Sequence, residues 1–302
     1  MKSIEKIFTY FPLSLIIAKK LSKKFGLGKT FKKSVLSKDV KNIETEREKL
    51  FSRLNNLDIN KGDILVLHSS YDEIGKLGIT PDEIIDYFLS RIGEEGTLVM
   101  PAYPLYLNKD KEFLKYNVKF TPCWTGIIPQ TFLSKEGVTR SPFPYNSLAA
   151  YGAKAEEMMK NNLESDTAFG PNSAWAYCYY HDAKVICLGV PPNHSLSAPH
   201  IAEDLMEEEW PIKNFHEEKK FKIKTEDKVI DFKARIKRSY WFDYTKTYNS
   251  MYQYRKHGYL FEYPNSGTFC AFVPSIKNLV DFVISKAKKG KTIYWVWNKY
   301  KK

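Results

Sequence analysis

From about residue 60 onward the chain alternates between short, uninterrupted apolar runs and longer apolar stripes at helical spacing. Ile64-Leu65-Val66-Leu67 enters through Gly62-Asp63 and contains no polar position, the pattern of a strand covered on both faces. Thr80-Pro81-Asp82-Glu83 then combines a capping hydroxyl, a proline for the first turn and a glutamate three residues after the threonine, which predicts a helix start. Ile84, Ile85, Phe88, Leu89 and Ile92 form one stripe, and Gly93 ends it. Thr97-Leu98-Val99-Met100 repeats the strand pattern. Strand, helix and strand in under forty residues is a parallel crossover unit, so the body is α/β.

Further along, residues 184–190 predict another covered strand and residues 267–273 a late one. After it Ser275 caps a helix whose Ile276, Leu279, Val280, Val283 and Ala287 share a face and whose end is marked by lysines and Gly290. Between them, Ile230, Phe232, Ala234 and Ile236 alternate with Asp231, Lys233, Arg235 and Lys237, a hairpin with a basic outer face. That face reads as a solvated strand surface rather than a nucleic-acid patch.

The first residues follow another pattern. Residues 7–18 are apolar apart from Thr9 and Ser14, and Lys2 and Lys6 precede them. This imitates a secretion signal, but Lys19-Lys20 stands where small residues should precede a cleavage site. Pro12 interrupts any helix here. Two readings stay open: a docking helix or partly disordered arm, or a basic amphipathic segment resting on an anionic membrane surface, where each nearby lysine contributes about 1 kcal/mol. Gly26-Leu27-Gly28-Lys29-Thr30 resembles the end of a phosphate loop, but Lys23 occupies the position of its first glycine. Of the surplus of 12 positive charges, residues 1–38 hold nine, through ten lysines against Glu5. The basic character therefore belongs to the leader, and no nucleic acid is expected as a partner of the body. The chain divides into a basic arm, residues 1–45, and one folded domain, residues 46–302.

With 302 residues and 43% hydrophobic content the chain can bury a sizeable core. No apolar run reaches the ~18 residues of a membrane span. Cys123, Cys178, Cys187 and Cys270 lie far apart without metal-ligand spacing. They read as small buried hydrophobes in a reducing, cytoplasmic compartment, and no metal is expected.

Parallel sheets gather ligands at the carboxyl ends of their strands. Three such ends carry polar, small or aromatic residues: His68-Ser69-Ser70, Pro101-Ala102-Tyr103, and Pro191-Pro192-Asn193-His194-Ser195. Ser69 and Ser70, with their backbone amides, suit a phosphate or a pantetheine amide. If Pro199 opens a helix, His200 and Glu203 share a face, the build of a general base with an orienting acid or of a surface pair. A metal site from His194, His200 and Glu203 lacks any established zinc spacing.

Taken in order, several segments resemble the aminoglycoside 3-N-acetyltransferase (antibiotic N-acetyltransferase) family. They are Gly62–Ser70 with Gly75 and Thr80-Pro81-Asp82; Gly96–Tyr103; Thr125-Gly126; Thr139–Ser147, similar to R-S-x-H-P-x-x-S; Phe169–Ser173; Cys187–Val190; and His200-Ile201-Ala202-Glu203 at the family's His-x-x-Glu. The resemblance spans roughly residues 55–290 and implies a three-layer α/β/α sandwich with a mostly parallel central sheet. It implies acetyl-CoA as donor and direct transfer to an amine, with His200 as base and Glu203 as its partner. Donor contacts would come from His68, Ser69, Ser70, Tyr103, Ser141 and Ser147, with amides near Ser69 and Ser70 facing the thioester oxygen. Acceptor contacts would come from Asn172, Ser173 and Glu207. The family's further catalytic aspartate finds no position in these motifs.

Three departures fall in the implied substrate loops: Phe143 for the motif histidine, Ala174 for the proline after G-x-x-S, and Pro191 and Pro192 with one extra residue in the loop before His200. The acidic run Glu203, Asp204, Glu207, Glu208, Glu209 suits a cationic acceptor, or is simply a solvated helix face. The small charge of the body suits an amino sugar with one amine, nucleotide- or lipid-linked, better than a polycationic drug. A non-catalytic CoA- or sugar-binding protein, or a nucleic-acid binder using the arm, are the alternatives.

Overall fold

The computed structural model describes residues 3–24, 42–106 and 113–302; the Gly26–Thr30 segment lies outside them. Strands are numbered along the chain. The main sheet has seven, in the spatial order β4 (Thr139–Arg140), β5 (Leu148–Gly152), β2 (Thr97–Pro101), β1 (Ile64–Ser69), β6 (Lys184–Leu188), β10 (Thr268–Val273) and β9 (Phe261–Ser266). A smaller sheet joins β3 (Leu114–Asn117), β7 (His216–Lys224) and β8 (Val229–Lys237). The fold is mixed α/β.

In the main sheet β2, β1 and β6 run parallel, and every other pairing of that sheet is antiparallel. The parallel part of the sheet is thus only three strands wide, narrower than the sequence suggests. Two outer pairs are joined by connections too short for a crossover, residues 141–147 between β4 and β5 and Gly267 alone between β9 and β10. Gly267 has φ +75, and a Cβ there would meet the Glu46 carbonyl oxygen at 2.0 Å, so only glycine closes this hairpin.

β1 shows why its apolar run is continuous. Ile64 and Val66 join a core with Val99, Val185, Trp175 and Leu279. Leu65 and Leu67 join another with Leu50, Leu54, Ile84 and Phe88. The predicted crossover is present: Thr80 Oγ1 accepts from the Glu83 amide at 3.1 Å, and the helix Pro81–Ile92 stops at Gly93 with φ +67. Ser275 likewise caps Ile276–Ala287 by accepting from the Asn278 amide at 3.0 Å. The four cysteines are free and buried.

The hairpin β7–β8 forms with Phe221, Ile223, Ala234 and Ile236 buried. Lys237 departs from the predicted basic outer face. As the last residue of β8 it leaves the alternation, and its ammonium approaches the buried Glu203 carboxylate, at 3.6 Å.

In the leader, the helices Ser3–Tyr10 and Pro12–Lys24 break at Phe11, and Pro12 opens the second. The arm is docked on the body. Phe8, Thr9, Leu15 and Ile16 are buried, and the Phe8 and Tyr248 rings lie 5.6 Å apart. Asn249 Nδ2 donates to the Thr9 carbonyl at 3.0 Å. Among the described residues no helix is long and apolar enough to cross a membrane.

Candidate active site

A cavity of about 710 Å³ opens at the carboxyl ends of β2 and β6. β6 is followed by Gly189, whose φ is +69 and whose hypothetical Cβ would lie 2.6 Å from the Ser70 carbonyl oxygen. That close approach brings the segments after β1 and β6 side by side. The chain then makes a single turn, Pro192–Ser195, started by its proline, and enters the 3-10 turn Ala198–His200 and the helix Ile201–Leu205. Tyr103, just past β2, shares a hydrogen bond of 2.8 Å with Ser197 Oγ. The two strand ends are tied together across the cavity. A second cavity, about 670 Å³ around Gly93, Gly96 and Gly152, lies at the opposite strand ends and carries no imidazole among its described lining.

His200 lines the first cavity. Its Nδ1 stands 2.6 Å from Glu203 Oε1. With Glu203 ionised, Nδ1–H is the donor, so Nε2 keeps the ring's lone pair. Glu203 itself is 2% exposed. Burial raises its carboxyl, but the neighbouring His200 ring and Lys237 ammonium and the hydrogen bonds from His200 and Tyr294 outweigh that and hold it below the usual carboxylate range. Tyr294 Oη donates to Oε1 at 2.5 Å and accepts from Lys237 Nζ at 2.8 Å. Burial pushes the Lys237 ammonium down, against the pull of Glu203 and Asp204. Burial, with Glu203 beside it, pushes Tyr294 well above its ordinary value, so the phenol stays a donor.

The next residue faces elsewhere. Asp204 accepts from His216 Nε2 at 2.8 Å and from the Phe169 amide at 3.0 Å. Phe169 in turn packs on the His200 ring, centroids 5.8 Å apart. Glu203 thus sets one edge of the imidazole by a hydrogen bond, while Asp204 holds the loop whose phenyl ring abuts it.

Of the site residues named from sequence, Tyr103 and His200 line the cavity, and Glu203 lies behind His200. The others have different surroundings. His68 is buried beside Trp175, ring centroids 6.1 Å apart, and burial lowers it to about 3, so it is neutral. The Ser69 hydroxyl is buried without a hydrogen-bond partner among the described residues. The Ser70 amide donates to the Leu188 carbonyl at 2.9 Å and is therefore not free to face a thioester oxygen. Ser141 Oγ donates to Asn162 at 2.6 Å and Ser147 Oγ to the Phe143 carbonyl at 2.6 Å. Phe143 packs edge-on against Phe232 in the core. Ser173 caps the helix Ala174–Tyr180, Asn172 beside it is exposed, and Glu207 is exposed on its own short turn.

Sequence reasoning missed Lys237, Tyr294, Phe169 and Asp204 as neighbours of the base. Lys237 sits in an alternation that assigned it to the surface. Tyr294 follows His200 by 94 positions with no motif around it.

The model of the family described as aminoglycoside 3-N-acetyltransferase matches residues 66–285. The chain belongs to this family. Among its curated relatives, aminoglycoside N(3)-acetyltransferase IV of Salmonella sp. is 31% identical over 147 residues, 49% of this chain and 54% of that protein. The SPbeta prophage-derived aminoglycoside N(3')-acetyltransferase-like protein YokD of Bacillus subtilis is 27% identical over 176 residues, 52% of this chain and 64% of that one. The chain thus spans between about half and two thirds of these relatives' lengths. Two solved structures of similar fold are the apoenzyme of aminoglycoside acetyltransferase AAC(3)-IVa, TM-score 0.65 at 21% identity over 84% of this chain and 92% of that one, and AAC-IIIb in its binary complex with CoASH, TM-score 0.68 at 19% identity over 83% and 98%. The family match includes His200, Glu203 and Lys237 and leaves the leader and Tyr294 outside it.

Proposed function

We propose that this chain is an acetyl-CoA-dependent N-acetyltransferase acting on an amine of an aminoglycoside or amino sugar, with His200 as general base and Glu203 as its orienting partner. The observation that carries this is the cavity-lining imidazole whose Nδ1 is committed to a buried carboxylate. An amine attacks a thioester only as it loses a proton. The acceptor nitrogen bonds to the acetyl carbon, the carbon–sulfur bond breaks, His200 Nε2 takes the nitrogen's proton, and that proton leaves on the CoA sulfur. No acyl-enzyme is needed, and none of the buried cysteines takes part. Burial pushes the Cys178, Cys187 and Cys270 thiols up to about 12, far from a ready nucleophile. Family membership and a neighbour described as a complex with CoASH support CoA chemistry.

In this reading residues 46–302 form the acetyltransferase domain, a three-layer α/β/α scaffold working in the cytoplasm. Tyr103 contacts the substrates in the cavity. The test is release of free thiol from acetyl-CoA across a panel of amino sugars and aminoglycosides. Thiol release that depends on an amine supports the reading; CoA binding without turnover on any amine sinks it in favour of a non-catalytic member.

The basic arm, residues 1–45, is proposed to touch an anionic membrane surface. Ile4, Ile7, Ile17 and Leu21 are exposed on its two helices and Phe11 at the break between them, with Lys6 and Lys20 exposed on the same helices. We expect the full chain to co-sediment with vesicles containing phosphatidylserine and to be released by salt. Equal recovery with neutral and anionic vesicles would remove this role.

A further inference from the structure

The His200–Glu203 pair is held from further away than its own helix. Glu203 orients the imidazole, and Glu203 is gripped in turn by the Lys237 ammonium at 3.6 Å and by the Tyr294 hydroxyl. Both of these groups depend on one short segment, residues 242–245, at the end of the 3-10 turn Ser239–Tyr244. The Lys237 ammonium lies over the Phe242 ring, 4.5 Å from its centroid, a contact that favours a charge withdrawn from water. Thr245 is bridged antiparallel to Tyr294. Beside that bridge the Lys246 amide donates to the Ile293 carbonyl and the Trp295 amide to the Tyr244 carbonyl, both at 2.8 Å. Whatever moves residues 242–245 moves the two groups that grip Glu203.

The leader fastens that segment. From the helix Pro12–Lys24, Lys19 Nζ donates to the carbonyls of Phe242 at 3.3 Å and Thr245 at 3.5 Å. Lys20 Nζ donates to the Tyr244 hydroxyl at 3.2 Å. Lys19 therefore serves as a tie between two main-chain oxygens, with its ammonium satisfied there. The helix that carries it is seated on the body: Leu15 and Ile16 are buried, and Leu15 lines the cavity of His200. The Phe242 ring is half exposed, so packing positions it weakly and the hold on its backbone matters more. Both ends of this relay, Lys19 and Tyr294, fall outside residues 66–285, the stretch that the family model matches.

We infer that the leader helix is a working part of this active site: Lys19 is a positioning residue that, through residues 242–245, keeps Lys237 and Tyr294 on Glu203 and so keeps the His200 ring set for proton transfer. This rests on the transferase reading and deepens it. The imidazole lone pair must meet the acceptor nitrogen at hydrogen-bond range, and a small displacement of such a group is costly. With the tie cut, the Glu203 carboxylate loses its fixed orientation and the ring is free to turn, while the substrates keep their contacts.

The test uses the full chain with Lys19→Met, which keeps the stem and removes the donor, and Lys19→Arg, which gives both carbonyls a donor again. Lys19→Met is also made in the Glu203→Gln background. Thiol release gives kcat and KM, and urea unfolding of the same preparations gives midpoints. Lys19→Met is expected to lower kcat by about tenfold with both KM values unchanged, and Lys19→Arg to restore most of the loss. In the Glu203→Gln background the same change should lower kcat no further and shift the urea midpoint less than in the wild type, because the arrangement it protects is already broken. An equal effect in the two backgrounds, on either measure, would make Lys19 an ordinary surface anchor and overturn the inference. So would an unchanged kcat in Lys19→Met, or a raised KM for acetyl-CoA at constant kcat, which would give Lys19 to the donor. Should Glu203→Gln not fold, the kcat loss at constant KM and its recovery in Lys19→Arg decide alone, and no recovery overturns it. If no amine releases thiol, the transferase reading fails by itself while the midpoints still decide: a smaller shift in the Glu203→Gln background upholds the tie from leader to carboxylate, and an equal shift overturns it.

Discussion

His200→Ala is expected to lower turnover by roughly a hundredfold or more while acetyl-CoA still binds. The substitution removes the lone pair that receives the amine's proton; the cavity's other imidazole, His194, is exposed beside Asn193 and is not the ring that Glu203 orients. Tyr103 is pushed up by burial and tied to Ser197, so its phenol is a poor base near neutrality. Lys237 is engaged with Tyr294 and Glu203. The variant should also fold. Glu203 loses one partner but keeps the Tyr294 hydroxyl and the Lys237 ammonium, so its buried charge stays compensated. Turnover by thiol release and a thermal melt on the same preparation check both halves. Wild-type rates in a folded variant would hand the base's role to another group and empty the His200–Glu203 pair of its catalytic meaning.

The elements around this pair were legible because their signals are local. The Thr80 cap, the stripe after it and the Gly93 stop lie within fourteen residues and act on one another directly, and the helix appears with that cap and that stop. His200 and Glu203 are three apart on one turn, so spacing alone brings them together. What surrounds them is a product of topology. Lys237 arrives from the end of β8 and Tyr294 from beyond the last helix, and no periodicity carries information over such separations. The hairpin rule placed Lys237 outward because it describes the middle of a strand, whereas a terminal residue is free to turn toward a buried countercharge. The serines of the resembled motifs show the reverse error. Ser141, Ser147 and Ser173 carry hydroxyls in the expected places, yet they bond to Asn162, to Phe143 and to the helix they cap. A motif serine shapes a loop as readily as it binds a ligand.

The leader illustrates the same limit. Its composition marks it as basic and apolar, and both properties are used at once. The residues facing inward bury against the helix Thr247–Lys256, while others stay exposed. Amphipathicity was readable; that the inward face would reach the cavity of His200 was not, since nothing in residues 3–24 refers to residue 200.

Glu203→Gln is expected to reduce turnover by roughly a hundredfold and unfolding free energy by about 3 kcal/mol, through two separate causes. The catalytic loss comes from the imidazole's tautomer. A carboxylate can only accept, so it fixes the proton on Nδ1 and leaves Nε2 basic; an amide can turn its NH2 toward Nδ1 and leave the proton on the nitrogen that should receive one. The stability loss comes from Lys237, whose buried ammonium would keep the Tyr294 hydroxyl but lose its charged partner. Adding Lys237→Met removes that stranded charge, so the double variant should regain most of the stability and none of the turnover. Acid titration gives an independent check. The native Glu203 carboxyl lies below its ordinary range, so it stabilises the fold above the unfolded carboxylate value of about 4.3, and that contribution fades as pH falls through the native value. The gap in urea midpoint between wild type and Glu203→Gln should therefore be full near neutrality and close in acid. A gap that stays constant with pH would mean that the loss lies in packing, and that Glu203 and Lys237 do not act as an ion pair.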